Sequence, residues 1–310
     1  MKSQTIKAPK VTLLIEDERV PFIRATWSGQ KTEAARKLDF ELVEPGKDTS
    51  YPKKEPEIED MVQFFINDEE VFRGYIQSKE KETQRRTLNY TALDGAFYLA
   101  NSEMSVAFLQ KTPAEVTRTV CNEVNVACGN LPDGKPYDRV HDGDALYEII
   151  MTGYTLQSMA DGNQYMLRMR QGAVDIILQG DYTVPDMLLT TDCITNATYS
   201  ESGMDAVTRV KSYSDNRQVK NTYILKDPAL SGVIQKSYQQ EDGDEEKQAR
   251  AMLQGIKRTA SLDGLGRVDC ITGNAVIIKE PVTGLAGRYF IDGDSHTFEH
   301  GMHTCLLYTS

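Results

Sequence analysis

The sequence has one tryptophan, four histidines and five cysteines in 310 residues, and each scarcity closes off a class of function. A lone Trp27 argues against a stacking platform for sugars. The cysteines, Cys121, Cys128, Cys193, Cys270 and Cys305, are odd in number and widely spaced. They form no C-x-x-C or zinc-finger pattern and read as free buried thiols. No phosphate-binding glycine loop, G-x-S-x-G elbow or Cys–His signature occurs. No dense Lys/Arg run exists, and 46 acidic against 35 basic residues leave a net charge of −11. That balance speaks against a phosphate-backbone ligand. Long apolar runs are missing too. Val11 to Ile15 is interrupted by Thr12 and meets Glu16-Asp17-Glu18, so neither a signal peptide nor a membrane anchor is expected. The expected location is the cytoplasm of the producing cell, with release by lysis.

What remains is ordinary for a folded chain: 40% hydrophobic and 26% charged residues, enough for two or three cores. Val11 to Ile15 and the strictly alternating Leu38-Asp39-Phe40-Glu41-Leu42 read as strands. Trp27 to Arg36 reads as a polar loop. Pro45, Pro52 and Pro56 mark an extended loop. Met61 to Ile66 and Val71 to Gln77 flank the turn Asn67-Asp68-Glu69-Glu70. Lys79 to Arg86 reads as a charged connection, and Leu88 to Leu93 returns as a strand. Thr112-Pro113-Ala114-Glu115 opens a helix with a capping box. A second helix is expected from near Asp144 through Met159, with a break or kink at Gly153. Tyr165–Met169 and Ala173–Leu178 form a hairpin about Gln171-Gly172. Strands are expected at 206–213 and 219–225 about an Asp215-Asn216 turn. A helix is expected from Glu245 to Arg258, acidic at its start and basic at its end. Val268–Ile271 and Ala275–Ile278 are expected strands about Gly273-Asn274. The fold class is therefore α+β, mainly β. The expected domains are a first β-barrel-like domain at 1–95, a small α+β middle domain at 96–200, and a second β-barrel-like domain at 201–310.

One pattern occurs twice. Val71-Phe72-Arg73-Gly74-Tyr75-Ile76 is echoed by Leu285-Ala286-Gly287-Arg288-Tyr289-Phe290-Ile291. Each has an apolar residue two positions before the glycine, a strand-like run before it and another after it. Gly74 and Gly287 are therefore expected to be backbone-geometry positions of one β-module used twice.

Candidate chemistry is sparse. His296, His300 and His303, with Glu299 among them, form a cluster with metal-ligand residue types, while the acidic runs Glu16-Asp17-Glu18 and Asp242 to Glu246 read as solvated surface. A strand–loop–strand segment does not give the helical spacing of zinc motifs, and continued strand alternation turns His303 away from His296. Hydrogen bonding inside a hairpin, or a subunit contact, is the expected role. Asp263-Gly264-Leu265-Gly266 lies in the wrong order for a dinucleotide loop and reads as a turn. Asp292-Gly293-Asp294-Ser295 lacks the length of a calcium loop and also reads as a turn. No catalytic residue and no cofactor are expected.

The order of elements in the last third carries a resemblance. It comprises the 206–225 hairpin, the segment Leu230 to Gln235, the acidic run and helix at 241–258, the Gly273-Asn274 turn, and Gly287, Phe290, Ile291 and His296 before the final strand. Together with the Thr112–Glu115 helix start, this resembles the baseplate hub proteins of contractile phage tails. They form the late control protein D class, and those of PBSX-like prophages and R-type bacteriocins are most similar. The resemblance implies a structural, non-enzymatic homotrimer that adapts a six-fold tail tube to a three-fold central spike and touches neighbouring baseplate proteins. It implies no nucleic-acid partner. On this reading the Pro45–Pro56 loop and the Lys79–Arg86 connection are candidate contacts with the tube or baseplate. A tail-associated cell-wall hydrolase and a carbohydrate-binding β-protein are the alternative readings.

Overall fold

The computed structural model describes residues 9–43, 55–82, 87–189, 194–214, 216–226, 230–239 and 245–309. Among them the chain is α+β and mainly β, with short helices between many strands. None of the described helices is long and apolar enough to cross a membrane. Two compact units emerge: Met1–Asn196 with Leu262–Thr309, and Ala197–Ser261.

The larger unit begins with the hairpin β1 (Val11–Ile15) and β2 (Glu18–Val20), then β3 (Arg24–Gln30) and β4 (Lys37–Val43). Next come β5 (Met61–Ile66), β6 (Glu69–Glu82) and β7 (Thr87–Asp94). Asn67 and Asp68 turn the β5–β6 corner with φ of 51° and 66°, the left-handed pair that suits a two-residue hairpin. The segment after β7 alternates short helices and strands: α1 (Ala96–Asn101), β8 (Glu103–Lys111), α2 (Pro113–Glu123), β9 (Ala127–Cys128), β10 (Tyr137–Ala145) and α3 (Leu146–Asp161). Strands β11 (Tyr165–Arg170), β12 (Ala173–Leu178) and β13 (Thr183–Leu189) complete it. The chain leaves this unit in β14 (Ile194–Ser202). The smaller unit holds β15 (Arg209–Tyr213), β16 (Val219–Ile224), β17 (Gln235–Gln239) and α4 (Glu245–Ala251). The chain returns in β18 (Lys257–Leu265) and ends with β19 (Ala275–Glu280), β20 (Leu285–Glu299) and β21 (Met302–Thr309).

The main sheet runs β14-β18-β21-β20-β3-β4-β7-β6-β5-β1-β2, with β19 beside β20 and β13 beside β19. A strand order is written in it twice. β3-β4-β7-β6-β5 has the same connectivity as β14-β18-β21-β20-β19. In both halves the fourth strand of the order is long and slips register against the strand that follows it in the chain, at Ile76/Ser78 in β6 and at Ile291/Gly293 in β20. Each of these long strands pairs its near half with the strand before it in the chain and its far half with the strand after it. The slip lets one strand serve two directions of the curved sheet.

Alternation sets the first core. Ala25 and Trp27 of β3, Leu38 and Phe40 of β4, and Leu88 and Tyr90 of β7 all point inward. The sheet curls until Phe64 of β5 meets Phe298 of β20 edge-on, with ring centroids 5.3 Å apart. A second core lies under α2 and α3, where Val116, Val120, Ile149, Ile150 and Tyr154 pack on Leu167, Val174 and Ile176. The expected capping box is present. Thr112 Oγ1 accepts from the Glu115 N–H at 3.3 Å, and a Glu115 carboxylate oxygen accepts from the Thr112 N–H at 2.9 Å. In the smaller unit Val210, Tyr223 and Ala249 make a small core. There Glu245 accepts from Ser212 Oγ at 2.5 Å and Asn221 Nδ2 at 2.9 Å and pairs with Lys220 at 2.7 Å.

Several expected elements differ. Trp27 to Gln30 is strand, not loop, because Ala25, Trp27 and Gly29 alternate inward. Asp292–Ser295 lies inside β20, and Asp263–Leu265 inside β18; both are paired backbone rather than turns. The fourth helix stops at Ala251, since Gln254 bridges to Val207 and Lys257-Arg258 already begins a strand. Val268–Ile271 is a turn segment. α3 starts at Leu146 and passes unbroken through Gly153. The β8–β10 ribbon has no counterpart in the expected elements. Lys79 to Glu82 continues β6. Residues 45–54, 83–86, 215 and 241–244, and with them Cys193, lie outside the described residues, so most of the Pro45–Pro56 loop does too.

Candidate functional site

The most chemically dense place in the larger unit lies under the closing hairpin. Alternation along β20 puts Asp294, His296 and Phe298 on one face. Pairing with β21 sets Cys305 opposite His296 and His303 opposite Phe298. Pairing with β3 sets Trp27 opposite His296.

Asp294 has a fully buried side chain. Arg36 grips it with both ends of its fork, Nη1 to Oδ1 at 2.9 Å and Nη2 to Oδ2 at 2.5 Å. The Thr272 N–H donates to Oδ1 at 2.7 Å. The Thr272 hydroxyl lies 2.6 Å from Oδ1 and 3.0 Å from the Gly29 carbonyl, and donates to one of them. Burial works to raise the Asp294 pKa, but the Arg36 charge and these donors outweigh it and hold the carboxyl below its ordinary value. Arg36 also lies over the Trp27 ring at 4.2 Å. From β11, Arg168 Nη2 donates to the Thr272 carbonyl at 2.5 Å and to Asn274 Oδ1 at 3.0 Å. Burial, with the charge of Arg36 nearby, lowers the Arg168 pKa to about 10.

The histidines divide. His296 Nε2 lies 3.0 Å from the Cys270 carbonyl, and Nδ1 lies 3.0 Å from His303 Nε2. A carbonyl only accepts, so Nε2 of His296 carries the proton, and Nδ1 accepts from His303. Burial lowers both pKa values. That of His303 falls to about 3, with His296 adding to the effect. His303 stacks on Phe298 at 4.2 Å. The hairpin tip at His300-Gly301 reverses the chain, so His303 returns to the face that holds His296, contrary to the alternation expected of a continued strand. His300 itself sits at that tip with φ of 50° and an exposed side chain, 3.6 Å from Glu299. Among the described residues no three His, Cys, Asp or Glu side chains converge as a metal ion requires. Trp27 is buried beside His296, 5.4 Å between rings. The cluster is a clamp that joins β20, β3, the 268–274 turn and β11, with Trp27 Nε1 and Arg36 Nε buried without a hydrogen-bond partner. The reading of the sequence missed Arg36, Thr272 and Asp294. The available signal was Asp294 itself, an acid on the same alternating face as His296 and Phe298.

The two expected glycines serve different ends. A Cβ on Gly74 would stand 2.3 Å from the Leu93 carbonyl oxygen and 2.7 Å from Phe72, so the β6–β7 approach excludes a side chain. Gly287 has open space but a φ of 146°, a region nearly reserved for glycine.

The fold is that of phage tail proteins. The 43 kDa tail protein of prophage MuSo2 from Shewanella oneidensis matches it with a TM-score of 0.80 over 97% of this chain and 98% of that one, at 12% identity. The c3393 protein of E. coli, a component of the type VI secretion system described as similar to the T4 bacteriophage tail proteins gp27 and gp5, matches with a TM-score of 0.53 over 96% and 76% of the two chains, at 9% identity. Sequence narrows the class: the YqbQ-like family model matches residues 25–309, and the chain belongs to that family. The uncharacterized protein YqbQ of Bacillus subtilis (strain 168) is 25% identical over 297 residues, 90% of this chain and 89% of that protein.

Proposed function

We propose that this protein is the baseplate hub of a contractile phage tail or an R-type bacteriocin particle. Three copies form a ring that joins the six-fold tail tube to the three-fold central spike. The observation that carries this reading is the strand order written twice in the main sheet. Three chains with two like modules each present six quasi-equivalent positions to a tube and three whole chains to a spike. The tail-protein fold supports the same role. Its partners on this reading are further copies of itself, the tube, the spike and neighbouring baseplate proteins. It assembles in the bacterial cytoplasm and leaves in the particle at lysis.

Cross-linking and mass spectrometry on purified tail particles test the role. The expected result is cross-links from this chain to both tube and spike proteins. Particles that lack the chain altogether would remove the proposal.

A further inference from the structure

Two small sheets each leave an apolar face in solvent, and the two faces carry opposite charge. The first is the β8–β10 ribbon of the larger unit. Phe108 of β8 and His141 of β10 are buried, so strand alternation turns Ala107, Leu109 and Val140 outward. Val140 stands opposite Ala107. Leu109 and Val140 are 70% and 71% exposed. Asp138 and Asp142, both exposed, flank Val140 along β10. Asp138 accepts from the Gln110 N–H and Asp142 from the Ser105 hydroxyl, but neither meets a cation among the described residues.

The second is the β16-β15-β17 sheet of the smaller unit. Its strands carry Arg209, Lys211, Lys220 and Lys236 and no acidic residue, in a chain whose net charge is −11. Val210 and Tyr223 pack with Ala249 of α4, so Arg209 and Lys211 face away from that helix. Ile224 stands opposite Arg209, and Val219 opposite Tyr213. Ile224 and Val219 are both more than half exposed. Neither Arg209 nor Lys211 has a carboxylate partner among the described residues, and the Arg209 Nε is buried with no hydrogen-bond partner. At the Arg209 end a cleft of about 400 Å³ opens, lined by Ile224, Leu225, Lys226, Leu230 and Val233.

We propose that the β8–β10 ribbon of one copy of this chain docks on the β16-β15-β17 face of a second copy. Leu109 and Val140 enter the cleft beside Ile224, and Asp138 and Asp142 meet Arg209 and Lys211. Apolar side chains at the centre exclude water, while the opposed charges orient the contact and reject wrong partners. A second copy is the occupant because one chain carries both complementary faces. Each copy offers one face of each kind, so the contact is head-to-tail, the kind from which rings are built. The inference rests on the ring reading and names a contact that holds the ring.

Charge reversal on the full-length chain tests the contact, read as mass by light scattering under the condition in which the wild type has the mass of three chains. Arg209→Glu with Lys211→Glu is expected to give a three-fold fall in mass, as is Asp138→Lys with Asp142→Lys. A chain with all four changes is expected to regain the mass of three. Wild-type mass in either double variant with an unchanged Tm overturns the contact. Hydrogen–deuterium exchange on the wild type, dilute against assembled, supplies an arm that no folding defect can touch. Exchange in Glu103–Lys111, Tyr137–Ala145, Arg209–Tyr213 and Val219–Ile224 is expected to slow on assembly. Protection confined to other segments overturns the contact and leaves the ring standing. A mass of one chain in every condition, spike protein included, removes both.

Discussion

Arg36 and Asp294 show how one buried charge is made tolerable. The carboxylate is fully buried and the guanidinium nearly so, and the pair survives because every oxygen has donors and the fork is bidentate. Arg36→Met strands the carboxylate and is expected to cost about 3 to 5 kcal/mol of unfolding free energy, measured by chemical denaturation. Replacing both partners with apolar residues is expected to cost less than the single change. The histidines add a pH dependence. His303 is held neutral in the fold, with a pKa near 3 against an ordinary 6.5. A depressed pKa gives stability that is complete above 6.5 and lost as pH falls toward 3. Asp94 works the other way, since burial raises its pKa to about 7 despite N–H donors at Arg36 and Ala96 and the Arg36 charge. Its stability is present below pH 4 and lost as pH rises to 7. His296 is buried and lowered in the same direction, so the two histidines outweigh Asp94, and wild-type stability is expected to fall as pH drops from 6.5 toward 4. His303→Phe removes one of the two histidine slopes, so that variant is expected to lose less stability toward pH 4 than the wild type does. Parallel pH profiles of the two proteins would contradict the assignment.

Among the elements, those with a local signature were legible and those made by distant pairing were not. The α2 capping box and the Gln171-Gly172 and Asn67-Asp68 corners follow from residues within a few positions of one another. β3 did not, because its inward set includes Gly29 and its polar residues face solvent; only pairing with β20 and β4 declares it a strand. The turn expected at Asp292–Ser295 failed for a related reason. Asp and Gly usually mark turns, but here the glycine sits at a register slip and the aspartate is neutralised by an arginine remote in sequence. Gly74 was visible as a motif, though its reason, the Leu93 carbonyl, was not. Gly74→Ala drives a Cβ into backbone that has no room to give, and is expected to lower stability by about 1 to 3 kcal/mol, seen as a lower Tm. An unchanged Tm would mean that β6 and β7 part freely there.

At the scale of the molecule, the sequence showed that a module recurs but not how far the recurrence goes. Two glycine-centred strands were legible; the full five-strand order was not, since β14 and β18 enclose the smaller unit and lie far apart in the chain. The clamp site was half legible, as histidines without their aspartate and arginine. The repeat is what turns a tail-protein fold into a claim about symmetry, and that claim is met most directly by one number. Light scattering on the purified full-length chain, across a concentration series and with the spike protein added, is expected to give the mass of three chains, alone or on the spike. A single-chain mass under every condition, spike included, would contradict the account.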